Sequence, residues 1–282
     1  MAGLEVFVDG VDFGEGPRWH DGRLWYSDFF QQSVYAVDPS GAREVIVKVP
    51  TQPSGLGWMP DGSLLVVSML DRKLLRVDGD TVTEHADLSS VATFHCNDMV
   101  VSATGNAYVG NFGWDIFTGG RDAVRAAALA LVRPDGTVSV AAEGLQFPNG
   151  SVITPDGETL VVGESYGARY RAFTIAPDGT LHDQRVWAEV PGCAPDGCSL
   201  DAAGGIWFAD ARGQRVVRVV EGGEITDVVE TGVGTYACAL GGDDGRTLFI
   251  LTAPDAHPDR VAGRGEGAIL MTTVAEPHAG LP

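Results

Sequence analysis

Polar side chains recur at one offset from the small turns that punctuate this chain. The residues that lie six or seven positions before each turn are equivalent to one another. They are Glu15, Ser54, Asn97, Asn149, Asp196 and Ala237. Carboxylate and amide oxygens are the ligands that a hard divalent cation prefers. A single Asn or Asp at a strand edge commonly caps a turn instead. The shared register of four such residues therefore favours a metal site over four separate caps.

The turns divide the chain into six repeats, and their spacing indicates the fold. They are separated by 40 to 52 residues, a period typical of propeller blades. The turns are Asp21-Gly22, Asp61-Gly62, Thr104-Gly105, Asp156-Gly157, Ala203-Gly204 and Asp244-Gly245.

Each turn is followed by a strand-like run of β-branched and aromatic residues, such as 24–28 (LWYSD) and 206–210 (IWFAD). A second apolar run follows most of them, and 38 glycines and 15 prolines supply turns. Helical periodicity is confined to 121–132, where the run ALALV favours the start of a strand. Six repeats of about four short strands predict an all-β fold, a six-bladed β-propeller with four-stranded antiparallel blades.

The two ends of the chain offer a way to close the ring. An apolar run at 4–8 precedes the first repeat, and the last repeat ends with a run at 267–274. Pairing of the N-terminal strand with the last blade would remove the exposed sheet edges. No linker or low-complexity segment interrupts the repeats, so residues 1–282 are expected to form a single domain.

A second polar set lies six or seven residues after each turn glycine, at the ends of the second strands. Because first strands begin and second strands end at the same face of a blade, both sets are expected at one mouth of the central channel. Solvated strand ends would explain half of this set, which makes it the weaker site signal. Its members are Asp28, Ser68, Asn111, Glu164, Asp210 and Thr252.

Charge and composition exclude several classes of partner. The formal net charge of −19 leaves no basic footprint for nucleic acid or for anionic lipid. No apolar run is long enough to span a bilayer, and the N-terminus lacks the features of a secretory signal. The four cysteines are too scattered for a disulfide framework. We expect a cytoplasmic monomer or homodimer that acts on a small molecule.

Four segments of the chain resemble the senescence-marker-protein/gluconolactonase (regucalcin-like) lactonase family. The resemblance runs from about residue 12 to 255, and the segments are 14–17 (GEGP), 97–98 (ND), 147–150 (FPNG) and 195–210 (PDGCSLDAAGGIWFAD). It implies a six-bladed propeller that holds one divalent metal ion in its channel and hydrolyses lactones. Residue by residue, it implies metal ligands at Glu15, Asn149 and Asp196, and a substrate contact at Asn97.

The chemistry that this resemblance implies is metal-assisted ester hydrolysis. Ca²⁺, Zn²⁺, Mn²⁺ or Mg²⁺ would polarise the carbonyl of a lactone, with Asp196 as general base. Family members that act on sugar lactones commonly carry arginine two residues before the ND motif, where this chain has His95. That departure and the nearby aromatic residues favour a more apolar lactone or ester. Asn111, Trp114 and Phe147 complete the predicted substrate-binding set.

Two rival functions and two decoy motifs remain. The rivals are a phosphotriesterase-like hydrolase on the same scaffold and a non-enzymatic propeller that binds calcium or a protein partner. Residues 163–167 (GESYG) match a nucleophile elbow, but that motif needs a helix after its turn and a strand is expected here. The spacing of Cys193 and Cys198 is unlike that of a zinc site and is more typical of small buried side chains.

Overall fold

The computed structural model describes residues 3–118 and 124–282, and within these ranges it is built almost entirely of β-strands. The first three residues of the segment 121–132 lie outside the described residues, and Ala127–Val132 forms a strand, as expected. In chain order the strands are β1 Glu5–Val11, β2 Gly14–His20, β3 Arg23–Asp28, β4 Ser33–Val37, β5 Arg43–Lys48, β6 Pro53–Trp58, β7 Leu64–Ser68, β8 Lys73–Asp78, β9 Thr81–Asp87, β10 Cys96–Val101, β11 Ala107–Asn111, β12 Ala127–Val132, β13 Val138–Leu145, β14 Pro148–Ile153, β15 Thr159–Glu164, β16 Arg169–Ile175, β17 Leu181–Glu189, β18 Pro195–Leu200, β19 Ile206–Asp210, β20 Arg215–Val219, β21 Ile225–Glu230, β22 Thr235–Gly241, β23 Thr247–Thr252 and β24 Gly267–Thr273.

The strands form six four-stranded antiparallel sheets, which confirms the predicted six-bladed propeller. Blades 1 to 5 each contain four consecutive strands, from β2–β5 through β18–β21, in sequence order. Blade 6 has the order β1-β24-β23-β22, so the N-terminal strand supplies its outer edge. The ring is thereby closed as expected, with blade 6 joining both ends of the chain.

The core lies between the blades. Within the described residues there is one apolar cluster at each of the six blade interfaces, for example Val152, Tyr170 and Phe208 between blades 4 and 5. The alternating β-branched and aromatic residues of each strand pack on both faces of the blade, as a strand buried on two sides requires. A seventh cluster, rich in aromatic residues, lies at the face where the inner strands begin.

One short helix, α1 (Pro258–Val261), lies in the connection between β23 and β24. The imidazole of His257 caps its N-terminus by accepting a hydrogen bond from the backbone of Asp259. In residues 3–118 and 124–282, no helix has the length and apolar character needed to cross a membrane.

Candidate active site

The six residues that share one offset before the turns lie at nearly the same position of the six innermost strands. Five of the six are the second residue of their strand, and the sixth, Ala237, is the third residue of β22. Because the six inner strands surround one channel, equal register places these side chains around one ring. The five second-position residues are Glu15, Ser54, Asn97, Asn149 and Asp196.

A glycine follows the ring residue in four blades because the next inner strand passes very close to it. A Cβ atom on Gly150 would lie 2.8 Å from the backbone nitrogen of Cys198 and closer still to the carbonyl oxygen of Asp196. A Cβ on Gly197 would lie 2.6 Å from the Cβ of Ala237. These glycines let the strands approach one another around the channel, which brings the ring side chains together.

Replacement of Gly150 by alanine is therefore expected to destabilise the protein by about 1 to 3 kcal/mol, the usual cost of overpacking. The new methyl group must displace the strand that carries Asp196, so the arrangement of the ring side chains should change as well. Urea unfolding followed by fluorescence measures the first effect. Gly3→Ala is the matched control, because a methyl group at that position would have no described atom within 4 Å. Equal stability of the two variants would contradict this account of the channel packing.

Above the ring lies a cavity of about 600 Å³, within the size range of small-molecule sites. Glu15, Asn97, Asn149 and Asp196 lie at its inner end, and the predicted contacts His95 and Phe147 line its wall. Much of the remaining wall is aromatic, and these residues are Phe13, Phe29, Phe30, Phe112, Phe117, Tyr166 and Tyr236.

The cavity wall is formed by residues at the entry to the inner strands and by the connections between second and third strands. In four blades this connection has four residues, whereas in blades 3 and 6 it spans 112–126 and 253–266. Blades 3 and 6 are opposite each other in the ring, and the Phe117 and His257 rings of these connections meet edge to face at 5.3 Å. The segment 253–260 thus shapes the rim of the cavity.

Two predicted substrate contacts, Asn111 and Trp114, are not among the described residues that line the cavity. The Asn111 amide donates to the carbonyl of Ala128 at 2.6 Å and accepts from the backbone of Gly113 at 3.0 Å. Trp114 is buried behind the wall, where its ring packs edge to face against Phe147 and Tyr166. Both side chains therefore lie behind the cavity wall, which they support, and do not line the cavity itself.

Three carboxylates of the second polar set hold the segments that enter the inner strands, and no member of the set lines the described cavity. Asp28 accepts a hydrogen bond from the backbone of Asp12, just before β2, at 2.9 Å. Asp210 does the same for Ala194, just before β18, also at 2.9 Å. Glu164 accepts from Gln146 at 2.7 Å, just before β14. These buried carboxylates therefore fix the backbone next to each ligand candidate.

The amide of Asn149 is held in one orientation by Ser165. Its Nδ2 atom donates to the Ser165 hydroxyl at 3.1 Å, and that hydroxyl donates to the carbonyl of Pro195 at 2.6 Å. The Oδ1 atom of Asn149 is buried and has no hydrogen-bond partner among the described residues. Ser165 lies in a turn between two strands, so the GESYG motif is not a nucleophile elbow; its serine instead orients an amide oxygen.

The two carboxylates at the inner end of the cavity repel each other. Glu15 and Asp196 are 5% and 8% exposed. Burial raises the pKa of Glu15 well above its usual value, and the charges of Asp196 and Asp98 raise it further. Burial also raises the pKa of Asp196, while a hydrogen bond from the Asn149 amide acts in the opposite direction. A cation between two such carboxylates would relieve both their burial and their repulsion.

The donor set fits one hard divalent cation. In the described ranges, no three His, Cys, Asp or Glu side chains are grouped so as to hold a metal ion. Beside the two carboxylates, the unpartnered Oδ1 of Asn149 would supply a third oxygen donor. Asn97 presents a second unsatisfied amide group, its buried Nδ2 atom, at the same end of the cavity.

An unpredicted buried ion pair lies next to the ring. The Arg18 guanidinium contacts a carboxylate oxygen of Asp98 at 2.7 Å, and each side chain is 3% exposed. Arg18 also donates to the carbonyls of Pro17, Leu56 and Met99, so it spans the inner strands of three blades. The available signal was Asp98 itself, a carboxylate at the register position that four other blades fill with glycine.

His95 is a neutral ring within the aromatic wall. Burial lowers its pKa below the usual value, against a smaller opposing effect from Asp115. The ring stacks on Phe94 with centroids 4.0 Å apart and meets Phe112 edge to face. At neutral pH it therefore presents a hydrogen-bonding but uncharged group to the cavity.

The four cysteines are unpaired and buried, and burial is what the sequence led us to expect for Cys193 and Cys198. Cys198 and Cys238 lie on inner strands, and Cys193 precedes β18. Burial raises the pKa of Cys193, with the charge of Asp210 adding to the effect. These thiols are packing residues of the blade interfaces.

Comparison with known proteins identifies chains that are similar to this one in sequence and in fold. Residues 13–254 match the family model described as the SMP-30/Gluconolactonase/LRE-like region. A pentonolactonase, XacC, of Haloferax volcanii is 30% identical over 273 residues, which cover 94% of this chain and 90% of that protein. A solved luciferin-regenerating enzyme superposes with a TM-score of 0.82 at 19% identity, covering 99% of this chain and 98% of that one. The calcium-binding protein regucalcin from Agrobacterium tumefaciens superposes with a TM-score of 0.80 at 22% identity, covering 99% and 95% of the chains.

Proposed function

The chain belongs to the SMP-30/gluconolactonase/LRE-like family, and from that premise we propose that it is a lactonase dependent on one divalent metal ion. The observation that carries the proposal is the pair of buried, mutually repelling carboxylates beside an unpartnered amide oxygen, at the end of an aromatic cavity. The similar protein of Haloferax volcanii is named a pentonolactonase, which supports the same reaction class.

Glu15, Asn149 and Asp196 would hold the metal ion, with Asn97 beside it. The calcium-binding name of the similar Agrobacterium protein favours Ca²⁺, while Zn²⁺, Mn²⁺ and Mg²⁺ suit the same site. When bound, the ion supplies a Lewis acid at the lactone carbonyl and offsets the charge of the two carboxylates.

The chain's own side chains then have separate tasks. Asp196 accepts a proton from the water that attacks the lactone carbonyl, and the same proton passes to the ring oxygen as its bond to the acyl carbon breaks. The Nδ2 atom of Asn97 donates a hydrogen bond to an oxygen of the reacting ester. Ser165 fixes the Asn149 amide, and the aromatic wall keeps bulk water away from the ester.

The cavity wall favours a lactone with an apolar body. Phe13, Phe29, Phe112 and Phe147 offer flat apolar surfaces and no hydrogen-bonding groups for sugar hydroxyls. At the position where the resemblance places arginine in sugar lactonases, the neutral ring of His95 removes a charged donor. An aromatic or alkyl lactone should therefore bind better than a sugar lactone.

Lactone hydrolysis followed by pH drop tests this function. We expect chelator-treated protein to be inactive and Ca²⁺, Mn²⁺ or Zn²⁺ to restore turnover, with dihydrocoumarin preferred over gluconolactone by at least about tenfold in kcat/KM. Paraoxon in the same panel tests phosphotriesterase activity. Turnover of paraoxon alone would replace the lactonase assignment, and metal binding without any turnover would favour a binding protein.

A further inference from the structure

Arg212 is the one Lys or Arg side chain among the described residues that line the cavity. It lies in the connection between β19 and β20, where its backbone donates to the side chain of Asp210 at 3.2 Å. The next residue back, Ala211, is bonded to the carbonyl of Ala194, which precedes the strand that carries Asp196. Arg212 thus stands on the side of the cavity above the proposed general base.

The carboxylates near this side chain are engaged by other arginines. Asp255, on the neighbouring blade 6, pairs with Arg260 at 2.6 Å, and Asp210 pairs with Arg215 at 3.1 Å. Arg212 makes no ion pair with any described residue. Its guanidinium lies over the ring of Tyr166, 6.0 Å from the centroid, so an apolar face of the wall supports the charge.

An unpaired cation in the wall of an acidic protein points to an anionic ligand. The formal net charge of −19 repels anions from the surface as a whole, so this cavity needs a local positive group to admit one. We propose that Arg212 binds a carboxylate carried by the substrate at the end opposite its lactone ring. The substrate class is then an apolar or aromatic lactone acid, and the inference rests on the proposed lactonase function.

The residues along the cavity agree with a substrate whose lactone ring lies at the inner end and whose carboxylate lies near Arg212. Glu15 and Asp196 at the inner end favour a metal ion and the uncharged ester, and would repel a free carboxylate. The aromatic residues between the two ends suit the apolar body of the ligand. A guanidinium binds a carboxylate through two parallel hydrogen bonds, which would also fix the direction in which the substrate enters.

Two ring-substituted dihydrocoumarins test the assignment, one with a carboxylate and one with the uncharged carboxamide at the same carbon. The carboxylate should be the better substrate, through a lower KM. Arg212→Gln should reduce kcat/KM for the carboxylate by about tenfold and change the value for the carboxamide by less than about twofold. Arg264→Gln removes the same charge near the rim but outside the described wall, and should change neither.

Binding of both compounds is also measured by calorimetry in the Asp196→Asn background, which separates this inference from the lactonase proposal. Arg212-dependent binding of the carboxylate without turnover in the parent protein would overturn the lactonase function and keep the anion site. Turnover of both compounds with no effect of Arg212→Gln would overturn the anion site alone. A loss for the carboxamide equal to that for the carboxylate would also overturn it, because it would show a role in wall shape.

Discussion

Asp196→Asn is expected to reduce lactone hydrolysis by at least about 10³-fold while making the metal-free protein more stable. Activity falls because the substitution removes the general base, which typically contributes a factor of about 10² to 10⁴, and the negative charge of one proposed metal ligand. Stability rises because Glu15 no longer faces a second buried charge. These opposite signs are characteristic of a functional site whose charges are held together at a cost to folding.

The stability gain is measured by urea unfolding of chelator-treated protein at mildly alkaline pH. We expect an increase on the order of 1 to 2 kcal/mol, within the ordinary range for a single substitution. Added Ca²⁺ should raise the unfolding temperature of the parent protein, because a ligand that binds only the folded state stabilises it. The same addition should have little effect on Asp196→Asn.

Asp201→Asn is the matched control for this experiment. Asp201 directly follows the strand that begins with Pro195 and Asp196, and it is also buried, but it lies at the other end and pairs with Arg218 at 2.6 Å. Its loss should destabilise the protein, since it leaves a guanidinium without its partner. If Asp196→Asn proved as destabilising as Asp201→Asn, the two carboxylates at the cavity would not be in conflict and the metal proposal would lose its main support.

The ring of side chains at the base of the cavity was predictable because the repeats form a closed ring. Residues at the same offset within each repeat then occupy equivalent positions around the channel. Glu15, Asn149 and Asp196 lie at nearly equal offsets from their turns, and the structure puts each at the second position of an inner strand. Strand register also fixes the face on which a side chain lies. Together these two rules bring residues more than 130 positions apart in the sequence to one site.

Other features of the site could not be predicted from strand register. Asn111 and Asp28 share an offset, yet the amide of Asn111 bonds to its own connection whereas Asp28 holds the segment before β2. Which backbone group a side chain reaches depends on loop shape, and loop shape is not periodic. The buried Trp114 lies on the long connection of blade 3, which has no counterpart of equal length in the other blades, so no repeated offset could place it.

The buried pair Arg18–Asp98 joins residues 80 positions apart. Of the substitutions that we propose, those that break this pair should lower the free energy of unfolding most. Arg18→Met is expected to lower the free energy of unfolding by about 3 to 5 kcal/mol, because it leaves a buried carboxylate without a counter-charge. Three backbone carbonyls also lose a donor, which adds to the cost.

A double-mutant cycle separates the ion pair from the packing of the arginine side chain. Asp98→Asn alone should also be destabilising, whereas adding it to Arg18→Met should recover part of the lost stability, because no unpaired charge remains. Arg23→Met serves as the control on the same blade. Its partner Glu44 is 67% exposed, so loss of that pair should cost less than about 1 kcal/mol.

Arg18→Met should change metal affinity in the opposite direction to stability. Asp98 acts electrostatically on both Glu15 and Asp196, and Arg18 offsets its charge. Arg18→Met should therefore strengthen Ca²⁺ binding, measured by calorimetry on the folded protein, although it weakens the fold. Weaker Ca²⁺ binding in Arg18→Met would show that the arginine shapes the ligand ring rather than balancing its charge. That result, or a stability cost no larger than that of Arg23→Met, would contradict the electrostatic role of the buried pair.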